Sequence, residues 1–195
     1  MEIGLGAFIK FANASPSTRP RLARAIAEQS RSEYSPATDF WRPMRQAINR
    51  DRKTTRDGDA LRKAALSAPP RRRPSFENIS ERWSGVAGRW DGAGHVPSRA
   101  ARITIGGLQV RVNPLFSEQW GDGRAECAYV WFNQEELHSD TLEAVLHMLS
   151  QDGHQSKMTP VFIDVRRAFT VQAGPQAAIE GWLDDLGTEF GRLAA

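Results

Sequence analysis

The chain has 195 residues, 40% of them hydrophobic and 25% charged, which argues against wholesale disorder and allows one medium domain or two small ones. A single cysteine, Cys127, excludes an internal disulfide framework and a cysteine-rich zinc site. The net charge of +3 conceals a polarity: residues 1–100 hold 19 Lys/Arg against 10 Asp/Glu, whereas residues 101–195 hold 7 against 13.

The N-terminal segment has no basic stretch ahead of an apolar run, and Lys10 interrupts its apolar residues. No later window approaches the roughly 18 apolar residues of a membrane span, so a cytoplasmic protein without membrane contact is expected. GAFIKFAN carries Phe8, Ile9, Phe11 and Ala12 and is read as a short element of open type. Ser17 or Thr18 is positioned to cap a helix bearing Leu22, Ala25, Ile26 and Gln29.

A second helix is expected to open at Ser35–Pro36, with Trp41, Met44 and Ile48 on one stripe and Pro43 imposing a kink or a break into two short pieces. Asp57 or Asp59 would cap a third helix through Leu61, Ala64 and Ala65. Three prolines make 67–76 a linker, and a fourth helix places Ile79, Trp83, Val86 and Trp90 on one face.

The second half changes character. Ile103, Ile105, Leu108, Val110 and Val112 alternate around Gly106–Gly107, a two-residue hairpin signal. AECAYVWFN is apolar at both parities, as a strand buried on both faces requires. Asp140 as cap with Glu143 makes a capping-box-like start to a helix, which carries Leu142, Val145, Leu146 and Leu149 on its face and leads to a second apolar strand, TPVFIDV. Strand, helix, strand at this spacing predicts a parallel pair. RRAFTVQ either continues that strand or turns back. Gly174–Pro175 would open a final helix striped by Ile179, Trp182, Leu183, Leu186, Phe190 and Leu193.

The predicted class is α+β: a basic helical region over 1–90, a linker over 91–98, and an acidic mixed α/β domain over 99–195. That domain would consist of a hairpin, a central strand, a helix, a parallel strand and a C-terminal helix.

Eleven cations crowd residues 42–73 against only Asp51, Asp57 and Asp59. They are Arg42, Arg45, Arg50, Arg52, Lys53, Arg56, Arg62, Lys63, Arg71, Arg72 and Arg73. Such a run could neutralise phosphates of DNA or RNA with salt-dependent affinity. It could equally form a solvated face, or dock on the acidic half. Arg exceeds Lys by 22 to 4 across the chain, a bias that a GC-rich genome produces unaided, so arginine choice carries little weight.

A second candidate lies at the carboxyl ends of the parallel strands, where open α/β sheets gather ligands. There the sequence offers Asn133, Glu135, Glu136 and His138, then Asp164, Arg166 and Arg167, for acid–base work or for capping a helix. His147 falls within a helix stripe, and His95 and His154 match no metal-ligand spacing. No nucleophile elbow, phosphate loop or dinucleotide fingerprint is present, and no cofactor or metal is expected. Cys127 should be buried and inert, and Trp120 beside Gly121-Asp122-Gly123 is either a contact residue or tucked onto the core.

The segments YSPATDFWRPMR (34–45), LQVRVNPLF (108–116), HSDTLEAVLHML (138–149) and PVFIDVRR (160–167) resemble a family of uncharacterised actinobacterial proteins, a likeness that implies no particular activity. The C-terminal half distantly resembles the restriction-endonuclease-like core. Where that family has a strand-end Asp this chain has Asn113, and Glu126 is accompanied by no lysine. The resemblance therefore implies a catalytically silent domain that binds nucleic acid or acts as a scaffold.

Three readings follow. The first is a non-catalytic accessory protein or subunit of a larger complex that contacts nucleic acid through the basic run. The second is a protein-interaction or regulatory module. The third is an enzyme with its site around 133–138 and 164–167.

Overall fold

The structure is a computed structural model that describes residues 1–32, 39–151, 157–173 and 179–195. The expected caps at Ser35–Pro36 and Gly174–Pro175, and His154, lie outside the described residues. The fold is α+β. Strand β1 (Glu2–Gly4) runs directly into helix α1 (Leu5–Asn13), followed by α2 (Arg19–Arg31), α3 (Arg42–Lys53), α4 (Asp59–Leu66) and α5 (Arg73–Ala87). Then come β2 (Gly94–Val96), β3 (Ala101–Ile105), β4 (Leu108–Val112), β5 (Phe116–Gln119), β6 (Ala125–Trp131), α6 (Ser139–Ser150), β7 (Thr159–Asp164), β8 (Phe169–Gln172) and α7 (Ile179–Ala194). No helix among the described residues is long and apolar enough to cross a membrane.

The described residues form two sheets: a three-stranded one in the order β1-β4-β3, and a five-stranded one in the order β2-β5-β6-β7-β8. The predicted hairpin is β3–β4, with Gly106 and Gly107 both at positive φ (50° and 80°), the backbone a two-residue hairpin turn demands. Strands β6 and β7 are parallel, joined by α6 as expected. RRAFTVQ turns back, and β8 pairs antiparallel with β7.

The alternation within β6 shows how the helices are shared out. Cys127 and Trp131 join a core with α1, α2, α6, α7 and the small sheet, while Ala128, Val130 and Phe132 join a second core with α3, α4 and α5. Helices thus cover both faces of the larger sheet, which is why β6 is apolar at nearly every position.

Several local expectations change. Pro43 and Pro74 fall in the first turns of α3 and α5, where a missing N–H costs nothing, so α3 continues unbroken to Lys53 and the 67–76 linker shortens. Residues 94–96, expected in a linker, pair with β5 at the sheet edge. Strand β1 pairs in parallel with β4, so the start of the basic half is hydrogen-bonded into the acidic half. His138, not Asp140, occupies the N-cap position of α6, and no side chain caps that helix. Thr18 sits at the cap position of α2, also without a side-chain cap bond.

Candidate functional site

Helix α3 sorts its residues by period. Met44, Ala47, Ile48, Asp51 and Arg52 form the buried stripe, and Arg42, Arg45, Gln46, Asn49 and Lys53 lie along another face. That second face lines a cleft of about 1940 Å³, closed on the other sides by the β1–α1 junction and the carboxyl ends of β4 and β6. Trp41 and Arg166 stand at one end and His95 also borders it.

Among the described residues, six cations line the cleft from four separate segments: Lys10, Arg42, Arg45, Lys53, Arg111 and Arg166. The carboxylates among its described lining residues are Glu2 and Asp39, and each is already engaged, Glu2 with Arg102 at 2.6 Å and Asp39 with Arg45. Among the described residues no carboxylate pairs with Lys10, Arg42, Lys53 or Arg111. The first turn of α1 adds to the positive field, since it has no acidic residue and no side-chain cap. Tyr129 reaches this wall, its hydroxyl 3.1 Å from where a Cβ on Gly6 would sit. Burial pushes the pKa of the Tyr129 hydroxyl up to about 12, against the opposing pull of Arg45.

Aromatic rings flank the cations. Trp41 stacks on Phe132 with centroids 5.4 Å apart and planes at 21°, and the Arg166 guanidinium lies 5.2 Å from the Trp41 centroid. Arg166 also donates from Nε to the Phe132 carbonyl at 2.6 Å, which fixes its plane. Desolvation lowers its pKa, with Asp164 opposing and Arg167 reinforcing the shift. Amides of Gln46, Asn49, Asn113, Asn133 and Gln134 are among its other polar lining groups.

The structure divides the eleven cations of the basic run. Arg42, Arg45 and Lys53 reach the cleft. Arg52 and Arg56 do not line it, and both turn to Glu118. Arg52 is buried, its Nε donating to Glu118 Oε1 at 2.9 Å, and Arg56 Nη2 donates to Glu118 Oε2 at 2.8 Å. Backbone carbonyls of Trp90 and Ala93 take further bonds from Arg56, and those of Ala87 and Trp90 from Arg52. Glu118 is fully buried on β5, so the pair of guanidiniums is its counterion.

The other six are not among the residues lining the cleft. Arg62 and Lys63 both approach Asp59, at 3.6 and 2.6 Å, and Arg73 bonds the Leu66 carbonyl. Arg72 lies over the Phe40 ring at 5.0 Å, while Arg50 and Arg71 are exposed. Sequence reasoning missed Lys10 and Arg111 altogether. Arg111 was detectable as an outward position in the alternating strand LQVRV.

Of the acid–base candidates at the strand ends, Glu135 and Asp164 have side-chain partners, whereas among the described residues Glu136 and His138 are engaged through their backbone alone and their side chains are exposed. Asn13, at the end of α1, donates to Glu135 Oε1 (3.2 Å) and the Glu136 carbonyl (3.0 Å), and accepts from the His138 N–H (2.8 Å). Asp164 is buried and paired with Arg167 at 2.6 Å. Glu126 takes two bonds from Arg89, at 3.0 and 2.7 Å. Among the described residues no group of three His, Cys, Asp or Glu is placed to hold a metal ion. Cys127 is buried, and Trp120 is tucked onto the core, with Nε1 donating to the Asp91 carbonyl at 3.2 Å and Arg124 over its ring. In comparisons with known proteins, no family model and no curated sequence matches the chain.

Proposed function

We propose that this chain is a non-catalytic nucleic-acid-binding protein, an accessory factor or subunit that holds a polyanion in the cleft between α1 and α3. One observation carries the reading: six cations from four segments line one concavity among the described residues, and Arg45 alone of the six is paired with a carboxylate there. Like charges gathered along one concavity raise the local potential and attract a polyanion, and a phosphate backbone offers negative charge at regular intervals. The size of the cleft favours a polymer over a metabolite, since sites for small molecules fall at about 300–1,000 Å³. Glu135, Asp164 and Glu126 each have a structural partner, and no group of three His, Cys, Asp or Glu among the described residues is placed to hold a metal, which supports a binding role for the cleft.

The test is fluorescence anisotropy with a labelled oligonucleotide strand and the matching duplex at low and moderate salt. Binding at micromolar protein is expected, weakening with salt along a log–log slope of up to about −3.5 for five phosphate contacts on a single strand. Failure of both probes to bind, or binding indifferent to salt, refutes it. Failure of both oligonucleotides to bind while a labelled acidic polypeptide binds would point to an acidic protein partner instead.

A further inference from the structure

We infer that the cleft takes its nucleic acid as a single strand, with a base stacked at the Trp41–Arg166 pair. The inference rests on the nucleic-acid reading above and adds the form of the ligand to it.

The argument begins with where the rings are. An aromatic side chain buried all round is core, whereas Trp41 is half-buried, packs on Phe132 and also lines the cleft. Phe40 beside it is half-buried too, edge-on to Trp41 with centroids 4.6 Å apart. The Arg166 guanidinium lies over Trp41, oriented by its bond to the Phe132 carbonyl. A guanidinium fixed over an indole is a planar, cationic surface on which a base stacks, and a base can also replace it against the ring.

Next comes what surrounds them. Arg42 and Arg45 follow Trp41 on α3, and Asn133 and Gln134 follow Phe132, so cations for phosphate and amides for base edges border the same rings. This is the combination that holds single strands: a basic groove tracking the backbone, with aromatic faces for exposed bases. A duplex offers no free base face, and its grooves are read by a protruding helix or ribbon. Here the cations sit in a concavity, where a duplex can present only its backbone.

The experiment compares four probes on the full chain at one salt concentration: a short oligothymidylate, an abasic strand of the same length, a duplex of that length and inorganic polyphosphate. The oligothymidylate should bind about ten-fold tighter than the abasic strand, toward the low end of the range for one stacked base. It should also bind tighter than the duplex. Trp41→Leu, which keeps apolar volume against Phe132, should erase the difference between oligothymidylate and abasic strand while leaving the abasic affinity in place. If Trp41→Leu proves unfolded by circular dichroism, the abasic comparison on the unaltered protein decides alone. Equal affinity for oligothymidylate and abasic strand, or a preference for duplex, overturns the single-strand inference and leaves the polyanion cleft standing. No binding of any probe overturns both.

Discussion

Arg52 and Lys53 are adjacent in sequence and lie on different faces of one helix, and the two positions have opposite electrostatic surroundings. Arg52 points into the junction between α3 and β5, where its side chain is 1% exposed and Glu118, 0% exposed, receives it. Lys53 is exposed along the cleft, with Arg42 and Arg45 on the same face and no carboxylate beside it among the described residues. The junction is neutralised within the chain, and the cleft is left to be neutralised from outside. A run of positive charge in a sequence therefore mixes two things, counterions for the protein's own buried acid and ligands for someone else's.

The largest test of that division is at the junction. Glu118→Ala strands one fully buried guanidinium and one three-quarters buried, so unfolding in urea should show a loss of about 3–5 kcal/mol. Arg56→Ala leaves Glu118 bonded to Arg52 and should cost about 2 kcal/mol, a loss similar to that of a charged hydrogen bond. A loss below about 1 kcal/mol for Glu118→Ala would mean that the junction relaxes or hydrates, and the counterion account would not hold.

The cleft face should respond in the opposite manner. Arg42→Glu with Lys53→Glu changes two positions that make no carboxylate pair among the described residues, so stability should move by no more than about 0.5 kcal/mol. Affinity for an oligonucleotide should fall at least about ten-fold at low salt, and the salt slope should flatten by about 0.7 for each phosphate of a single strand that is no longer neutralised. If the double reversal unfolds the protein, or leaves affinity intact, the two faces are not functionally distinct.

How much of this was legible follows from the range of the interactions. The hairpin around Gly106–Gly107, the parallel pair β6–β7, and the stripes of α6 and α7 are written in local periodicity, and all stand in the structure. The pairing of β1 with β4 and of β2 with β5 is not, because short strands of three residues carry no pattern of their own. Arg52 is instructive. It continues the spacing Met44, Ile48, Arg52 and so lies on the stripe that sequence reasoning assigned to the core. Its acid, Glu118, stands 66 positions later, in a strand that local pattern did not predict. The cleft was hidden for the same reason: Lys10, Arg45, Arg111 and Arg166 are scattered in sequence and meet only through the fold.

The smallest expected effect is read at His95, which touches both regions. It pairs across β2–β5 with Glu118, lines the cleft, and feels Lys53. Desolvation lowers its pKa below the usual value, Lys53, Arg56 and Arg52 push the same way, and Glu118 opposes them. A depressed imidazole pKa means that the unfolded chain takes the proton more readily. The stability contributed by keeping His95 neutral is therefore present above the ordinary value of about 6.5 and is lost as pH falls from there through the folded pKa. Lys53→Ala should raise the His95 pKa by removing a cation, as followed through the imidazole nitrogen shifts by NMR. A polyanion in the cleft should raise it too, because phosphates favour the imidazolium, and binding near the folded pKa should then take up protons and strengthen as pH falls. An oligonucleotide that saturates the protein yet leaves the His95 titration in place would put the bound strand somewhere other than the face shared by Lys53 and His95.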